Sequence, residues 1–599
     1  MSATERRRSN GGIDPGQLAV GAGLGLLLLL GAGLWVAVHL GRLFDPAQSP
    51  LPTENPVALP IYLVRGMVPM TAADLVCLGL VGVLAGAVCA LAARAVLRRR
   101  KPNRHVDKAA PHMARGRELD RYTRAAAAAV AARLGAATGI PGVFLGHTVA
   151  GRRELWADWE STEVDIWGPR TGKTTSRAIP ALLDAPGAAI ATTNRRDLVD
   201  ATRDVRAARG TVWVFDPQDI VGELPSFFWN PLTYITSGPA DPVVKAQQLA
   251  GIFAASIAPP DSKADRFFDP KGQALLGHLL LAAAVSGRSM ADVYRWVNRE
   301  IDTEPARLLD ATYRASADFV RGIIGSPDKQ RGGIYATAEL CITWMTNPSA
   351  VRWLSGGSGR TEFAPGRFAH STDTLYLVSR EGRGTLGPLT AALTAAVCEA
   401  AEHVATRSPH GRLPVPLVAV LDEAANVCRW PELPDLFSHY GGRGIYLLVI
   451  LQSWRQGEDA WGHRGMAKMW SAATVRIYGG GDTEVPFLDE LRRLIGQYRP
   501  QSTSATSSRS GRSVNYSEER DDVLDVADLS ALQRGRAVLI GSGARPVLIA
   551  PRPWSMGPHR AAVEASRAAH DPAAQPARPV LNPEPDVPPA GALFRGRTS

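Results

Sequence analysis

The chain has 599 residues, 45% hydrophobic and 21% charged, with a formal net charge of +10. That length exceeds one ordinary domain, and the composition excludes a wholly disordered chain. The positive charge is no nucleic-acid signature: residues 1–108 hold twelve Lys/Arg against six Asp/Glu, and the rest is near balance.

Leu18–Leu40 contains no Asp, Glu, Lys or Arg and has the length, ~20 residues, that a bilayer-crossing helix needs. Leu75–Leu97 is a second such run, interrupted only by Arg94, close enough to its end to snorkel. The first run is too long for the apolar region of a signal peptide and lacks a good A-x-A cleavage site. Arg6, Arg7 and Arg8 precede the first run, and Arg98, Arg99, Arg100, Lys101 and Arg104 follow the second. The loop between them holds only Arg42 and Arg65. The positive-inside rule then predicts a multi-pass anchor over 1–104 in the cell membrane, with spans at about 18–40 and 75–97 and both termini cytoplasmic. Gly21/Gly25 and Gly82/Gly86 stand at a spacing that lets helices pack closely.

Beyond a helical segment at Arg115–Leu134, apolar β-rich runs alternate with helical ones. Val143–Leu145, Val164–Trp167, Ala188–Thr193 and Val212–Phe215 read as strands. Thr374–Val378, Leu417–Leu421, Tyr446–Leu451 and Thr474–Tyr478 read likewise. Apolar on both faces, they predict an α/β core with a mostly parallel sheet covered by helices. Between Pro231 and Phe363 only helical patterns remain, such as Lys245–Ala255 and Gly272–Ala284, so 231–363 reads as an all-α insertion. It divides the core into 105–230 and 364–554. Gln501–Asp522 reads as a mobile polar loop, and 555–599 as a disordered Pro/Ala-rich tail.

The five cysteines, Cys77, Cys89, Cys341, Cys398 and Cys428, form no C-x-x-C pair, which fits reduced thiols in a cytosolic body. His105, His112, His147 and His370 show no ligand spacing, so no metal beyond a nucleotide's magnesium is expected.

The sharpest site is Gly168-Pro169-Arg170-Thr171-Gly172-Lys173-Thr174-Thr175, directly after the strand Val164–Trp167 and before a helical run. A strand, a Gly-rich turn and a helix start bring backbone N–H groups and the helix N-terminus onto a phosphate. Lys173 would reach the β- and γ-phosphates of ATP, and the Thr174 hydroxyl would bind Mg²⁺. The usual spacing would put the first glycine at Trp167; here it is Gly168, so the loop is a residue tighter or opens through a different turn. The apolar strand ending in Asp422-Glu423 fits a Walker B element, Asp422 holding the magnesium shell and Glu423 activating water. Gln452, at the end of another strand, can sense the γ-phosphate or position water. Arg443, between Gly442 and Gly444, reads either as an arginine finger acting across a subunit boundary or as a surface turn arginine.

Together these motifs resemble the type IV coupling proteins, the TraG/TraD-like ATPases of conjugation, especially their actinobacterial forms. Thr193-Asn194-Arg195-Arg196-Asp197, Phe215-Asp216-Pro217-Gln218 and Trp229-Asn230-Pro231-Leu232 add to the likeness, which runs from the anchor to about Trp554. The resemblance implies a RecA-like P-loop motor with an all-α domain inserted between its nucleotide motifs. It also implies a homo-hexameric ring on the inner membrane that takes relaxase-bound single-stranded DNA to a type IV secretion channel. Two alternatives stay open: an FtsK-like double-strand DNA translocase, and a cargo receptor that has kept the fold but lost hydrolysis.

Overall fold

The computed structural model describes residues 32–44, 51, 55, 58–99, 105–136, 139–255, 268–356, 359–382, 385–498, 501–508, 511–518 and 520–573. It divides into two compact units, Met1–Asn103 and Arg104–Ser599.

In the first unit, residues 32–44 are helical, and two further helices cover Leu59–Val64 and Ala72–Arg99. The long helix spans the second expected membrane segment, although the side chains of 85 and 88–99 are outside the described set. Most of the first expected segment, 18–31, with Gly21 and Gly25, lies outside the described residues. Among the described residues no helix is long and apolar enough to cross a membrane.

The second unit is built on one eleven-stranded sheet. Its strands in chain order are β1 Gly142–Thr148, β2 Glu154–Asp158, β3 Glu163–Ile166, β4 Ala189–Thr193, β5 Val212–Phe215 and β6 Thr374–Val378. They continue with β7 Leu417–Asp422, β8 Ile445–Leu451, β9 Val475–Tyr478, β10 Ala537–Gly541 and β11 Val547–Ala550. Their spatial order is β2-β1-β11-β10-β9-β3-β8-β7-β4-β6-β5. From β9 to β5 the pairs are parallel; from β9 outward to β2 they are antiparallel. The expected mixed α/β fold with a mostly parallel sheet is therefore present. β3, β4, β6, β7 and β8 are buried along their whole length, which is why β4, β6, β7 and β8 read as largely apolar runs, whereas β3 buries Glu163 and Asp165 as well.

Helices fill most of the stretch between β5 and β6. Phe268–Ser286, apolar nearly all round, is the central one, with Pro242–Ala255, Met290–Val297 and Asp328–Cys341 against it. The stretch leaves and returns at one place. Phe227–Phe228 pairs in parallel with Thr361–Glu362, and Trp213, Phe227, Trp353 and Phe363 stack edge to face around the joint.

Two segments differ from expectation. Gln501–Ser508 and Gly511–Glu518 pair as antiparallel strands instead of forming an irregular loop. Their Ser/Thr-rich alternation carries no apolar period, so it gave no strand signal. Within the tail expected to be disordered, Arg560–Ala569 is a helix lying on the helix Arg196–Ala207. Its Ala-rich sequence has high helix propensity, and it buries Val563 and Ser566, whose hydroxyl donates to the Asp200 carbonyl at 2.7 Å. Residues 574–599 lie outside the described set.

Candidate nucleotide site

The central strand order β3-β8-β7 fixes the site. All three run parallel, with Leu451 opposite Ile166 and Ile450 opposite Asp422, so their carboxyl ends finish level. The P-loop, Gln452 and Asp422-Glu423 emerge from those ends, side by side.

The tight spacing of the loop has a structural cause. Trp167 continues β3, its N–H donating to the Leu451 carbonyl at 2.8 Å, and its ring lies over Gly479. Gly168 donates to the Gly480 carbonyl at 2.8 Å, and a Cβ there would stand 2.6 Å from the Gly481 carbonyl oxygen. The loop therefore opens on backbone-to-backbone contact that only glycine permits. It turns through Arg170 (φ +60°) and Gly172 (φ +104°), while the Thr171 hydroxyl donates back to the Gly168 carbonyl. The Gly172 carbonyl accepts from Ser176 N–H and the Thr175 hydroxyl, both at 3.0 Å. Pro169 and Arg170 are exposed at the tip. Lys173 then starts a helix whose first turn, Thr174–Ala178, is of the wide π type.

At the base of the loop the charged groups pair with one another. Lys173 Nζ pairs with Glu423 and lies 3.4 Å from Asp422 Oδ1. The Thr174 hydroxyl donates to Asp422 Oδ2 at 2.9 Å, and Gln452 Nε2 donates to both Glu423 oxygens at 2.8 Å. Thr192 clamps the Asp422 carbonyl at 2.9 Å. Glu423 is buried in the left-handed region, φ +57°, a sparsely populated conformation of the kind concentrated at functional sites. Burial pushes the Asp422 carboxyl above its usual range, and Glu423 adds to this, against the pull of Lys173 and Thr174.

This donor set fits a magnesium nucleotide. A hydroxyl and a carboxylate sharing one contact are hard oxygen donors of the kind magnesium takes alongside phosphate oxygens. The glycine-floored helix start and Lys173 supply the complementary surface for phosphates. Lys173, Thr174, Asp422, Glu423 and Gln452 are thus brought together as the sequence predicts.

Arg443 is not brought to them. Its turn, Gly441–Arg443, precedes β8 and so lies at the amino edge of the sheet, seven strand residues or roughly 20 Å from Gln452. There Nη1 donates to the Gly411 carbonyl at 3.2 Å, and Nε lies 3.9 Å from Glu402. Within one subunit Arg443 cannot touch the nucleotide edge. Arg380 is exposed at the carboxyl end of β6, and Arg383 lies outside the described residues.

Sequence reasoning missed a buried charge cluster beneath the loop. Fully buried Arg177, in the first turn after Thr174, donates to Asp165 at 3.0 Å, to the Phe144 carbonyl at 2.8 Å, and to Glu163. Tyr446 donates to Glu163 at 2.6 Å. Burial, reinforced by Glu163, pushes the Asp165 carboxyl well above the usual range, against the pull of Arg177. The signal was available: two carboxylates in a strand that had to be buried on both faces require a buried cation.

Residues 416–534 match the family model described as the TraM recognition site of TraD and TraG. Over this stretch the chain is TraG/TraD-like. The TraG/TraD-like stretch carries β7, β8 and β9 with Asp422, Glu423, Arg443 and Gln452, whereas the P-loop lies upstream of it. Among solved structures, the bacterial conjugative coupling protein TrwBdeltaN70 in its unbound monoclinic form is 15% identical at a TM-score of 0.50. It covers 70% of this chain and 91% of its own. Plasmid coupling protein TrwB in complex with ADP and Mg²⁺ is 13% identical, with a TM-score of 0.48 and coverage of 68% and 89%. VirB4 of Thermoanaerobacter pseudethanolicus is 14% identical, with a TM-score of 0.40 and coverage of 70% and 98%. At such identity the first of these shares the fold. No curated protein matches the chain.

Proposed function

We propose that this chain is an ATP-driven coupling protein of conjugation, which passes relaxase-bound single-stranded DNA to a type IV secretion channel. The observation that carries the reading is the convergence of Lys173, Thr174, Asp422, Glu423 and Gln452 on one sheet edge. The TraG/TraD-like stretch supports it, as do TrwB complexes described with ADP and Mg²⁺. The chain would act as a homo-hexamer, anchored in the cell membrane through 18–40 and 75–97.

The mechanism follows from the pairings. Lys173 now spends its charge on Glu423; a triphosphate offers it more negative charge and draws it away. Glu423 is then free to orient a water and accept its proton, held in position by the two Gln452 contacts. Thr174 and Asp422 would hold Mg²⁺, which when bound would neutralise charge on the phosphates. Helix-start N–H groups fix the β-phosphate.

Turnover of the full chain in lipid nanodiscs, with and without DNA, tests this reading. Single-stranded DNA should stimulate ATP hydrolysis more than duplex of equal length. Equal or greater stimulation by duplex would instead favour the double-strand translocase, and tight nucleotide binding without turnover the receptor. Anchoring is checked separately: reporter fusions after residue 108 should read cytoplasmic and fusions within 48–60 extracytoplasmic. An outside signal from the body would overturn the motor, since ATP is inside.

A further inference from the structure

A second cation faces the P-loop from the antiparallel side of the sheet. β10 runs antiparallel to β9, so its amino end comes to the same edge as the carboxyl ends of the parallel strands. The turn Leu532–Arg536 that leads into it is therefore at the nucleotide edge.

That turn is fixed on both sides. Towards the P-loop it stacks through side-chain-free positions: a Cβ on Gly480 would come within 2.8 Å of the Leu532 carbonyl oxygen. One on Gly481 would stand 3.1 Å from Thr171 Cγ2, and one on Gly168 2.6 Å from the Gly481 carbonyl oxygen. Away from the P-loop, Arg536 makes a forked ion pair with Asp107 at 2.6 and 2.7 Å. Between these anchors stands Arg534, its residue exposed and its Nε 3.5 Å from where a Cβ on Gly172 would lie. Gly172 is the positive-φ residue directly before Lys173.

We propose that Arg534 contacts the phosphate chain of the nucleotide held by Lys173 of the same subunit, presenting its forked guanidinium to two phosphate oxygens. The fork matches phosphate geometry in a way that an ammonium cannot. The inference rests on the nucleotide reading of the P-loop, and its test is arranged so that the two fail separately.

The full chain is titrated with fluorescent ADP, and adenosine and pyrophosphate are used as competitors. Arg534→Ala should weaken ADP by about ten- to a hundredfold, the range for a lost charge-assisted hydrogen bond. Pyrophosphate should lose affinity to the same extent, adenosine should be unchanged, and the thermal midpoint should not move. Arg534→Lys should recover only part of the loss. Unchanged ADP affinity in Arg534→Ala, while Lys173→Ala binds none, would overturn this proposal alone; normal binding by Lys173→Ala would overturn the nucleotide reading itself. A loss seen with adenosine but not with pyrophosphate would move the contact to the nucleoside and overturn it too. Mixing gives the last discrimination. Arg534→Ala and Lys173→Ala subunits should not restore turnover, because each site carries its own lesion. Restoration would put Arg534 in the neighbour's site and overturn the same-subunit assignment.

Discussion

Lys173→Ala should reduce ATP turnover to background and weaken nucleotide binding by at least about a hundredfold, the upper range for a lost hydrogen bond to a charged group. The side chain has two jobs in this geometry. It is the cation of the helix start that receives phosphate, and it is the partner of Glu423 with Asp422 close by. Removing it leaves two buried carboxylates together with no cation between them, and one of them takes up a proton. The variant would therefore lose both the phosphate contact and the charge pattern that suits magnesium. Equilibrium binding and turnover of the full chain read both effects. Hydrolysis at the unaltered rate would remove this loop from the chemistry.

Glu423→Gln should separate binding from hydrolysis. The amide keeps the shape of the side chain and can still accept from Gln452 Nε2, and Asp422 and Thr174 remain in place. Turnover should fall by about 10²–10⁴, the usual worth of a positioned general base. ATP affinity should be preserved or tightened, because Glu423 competes with phosphate for Lys173 and the amide carries no charge to compete with. Mixed with unaltered subunits, the variant should block them by holding ATP. Full turnover would move the base to another residue, and weaker ATP binding would contradict the competition.

Most of the seven parallel strands were legible because burial writes a largely apolar run into them; β3, with Glu163 and Asp165, and β9, with Arg476, were read from the apolar residues around those charges. The antiparallel strands were legible only in part. β2 has only Leu155, Trp156 and Ala157 between its terminal Glu154 and Asp158, and the apolar runs of β10 and β11 cannot be told by periodicity alone from pieces of buried helix. Of the site, Lys173, Thr174, Asp422, Glu423 and Gln452 could be read because each ends a strand or opens a helix. Arg443 shows the reverse. It precedes the strand that Gln452 follows, so chain order alone already put the two on opposite edges of a parallel sheet. Arg177 and Arg534 escaped for another reason. One answers carboxylates earlier in the chain, and the other approaches from a turn more than 300 residues downstream of the loop it faces.

The position of β3 also bears on how the chain comes off the ribosome. The strand that leads into the P-loop lies between β8 and β9, whose residues, 445–451 and 475–478, are made long after it. Until they emerge, β3 has no neighbour on either side. The face of Arg196–Ala207 covered by Arg560–Ala569 waits longer still. A nascent chain stalled within the helical stretch after β5 therefore exposes unpaired strand edges. The nucleotide site is a late product of synthesis, and a fragment ending before β9 should be degraded or aggregate instead of competing with finished subunits for ATP.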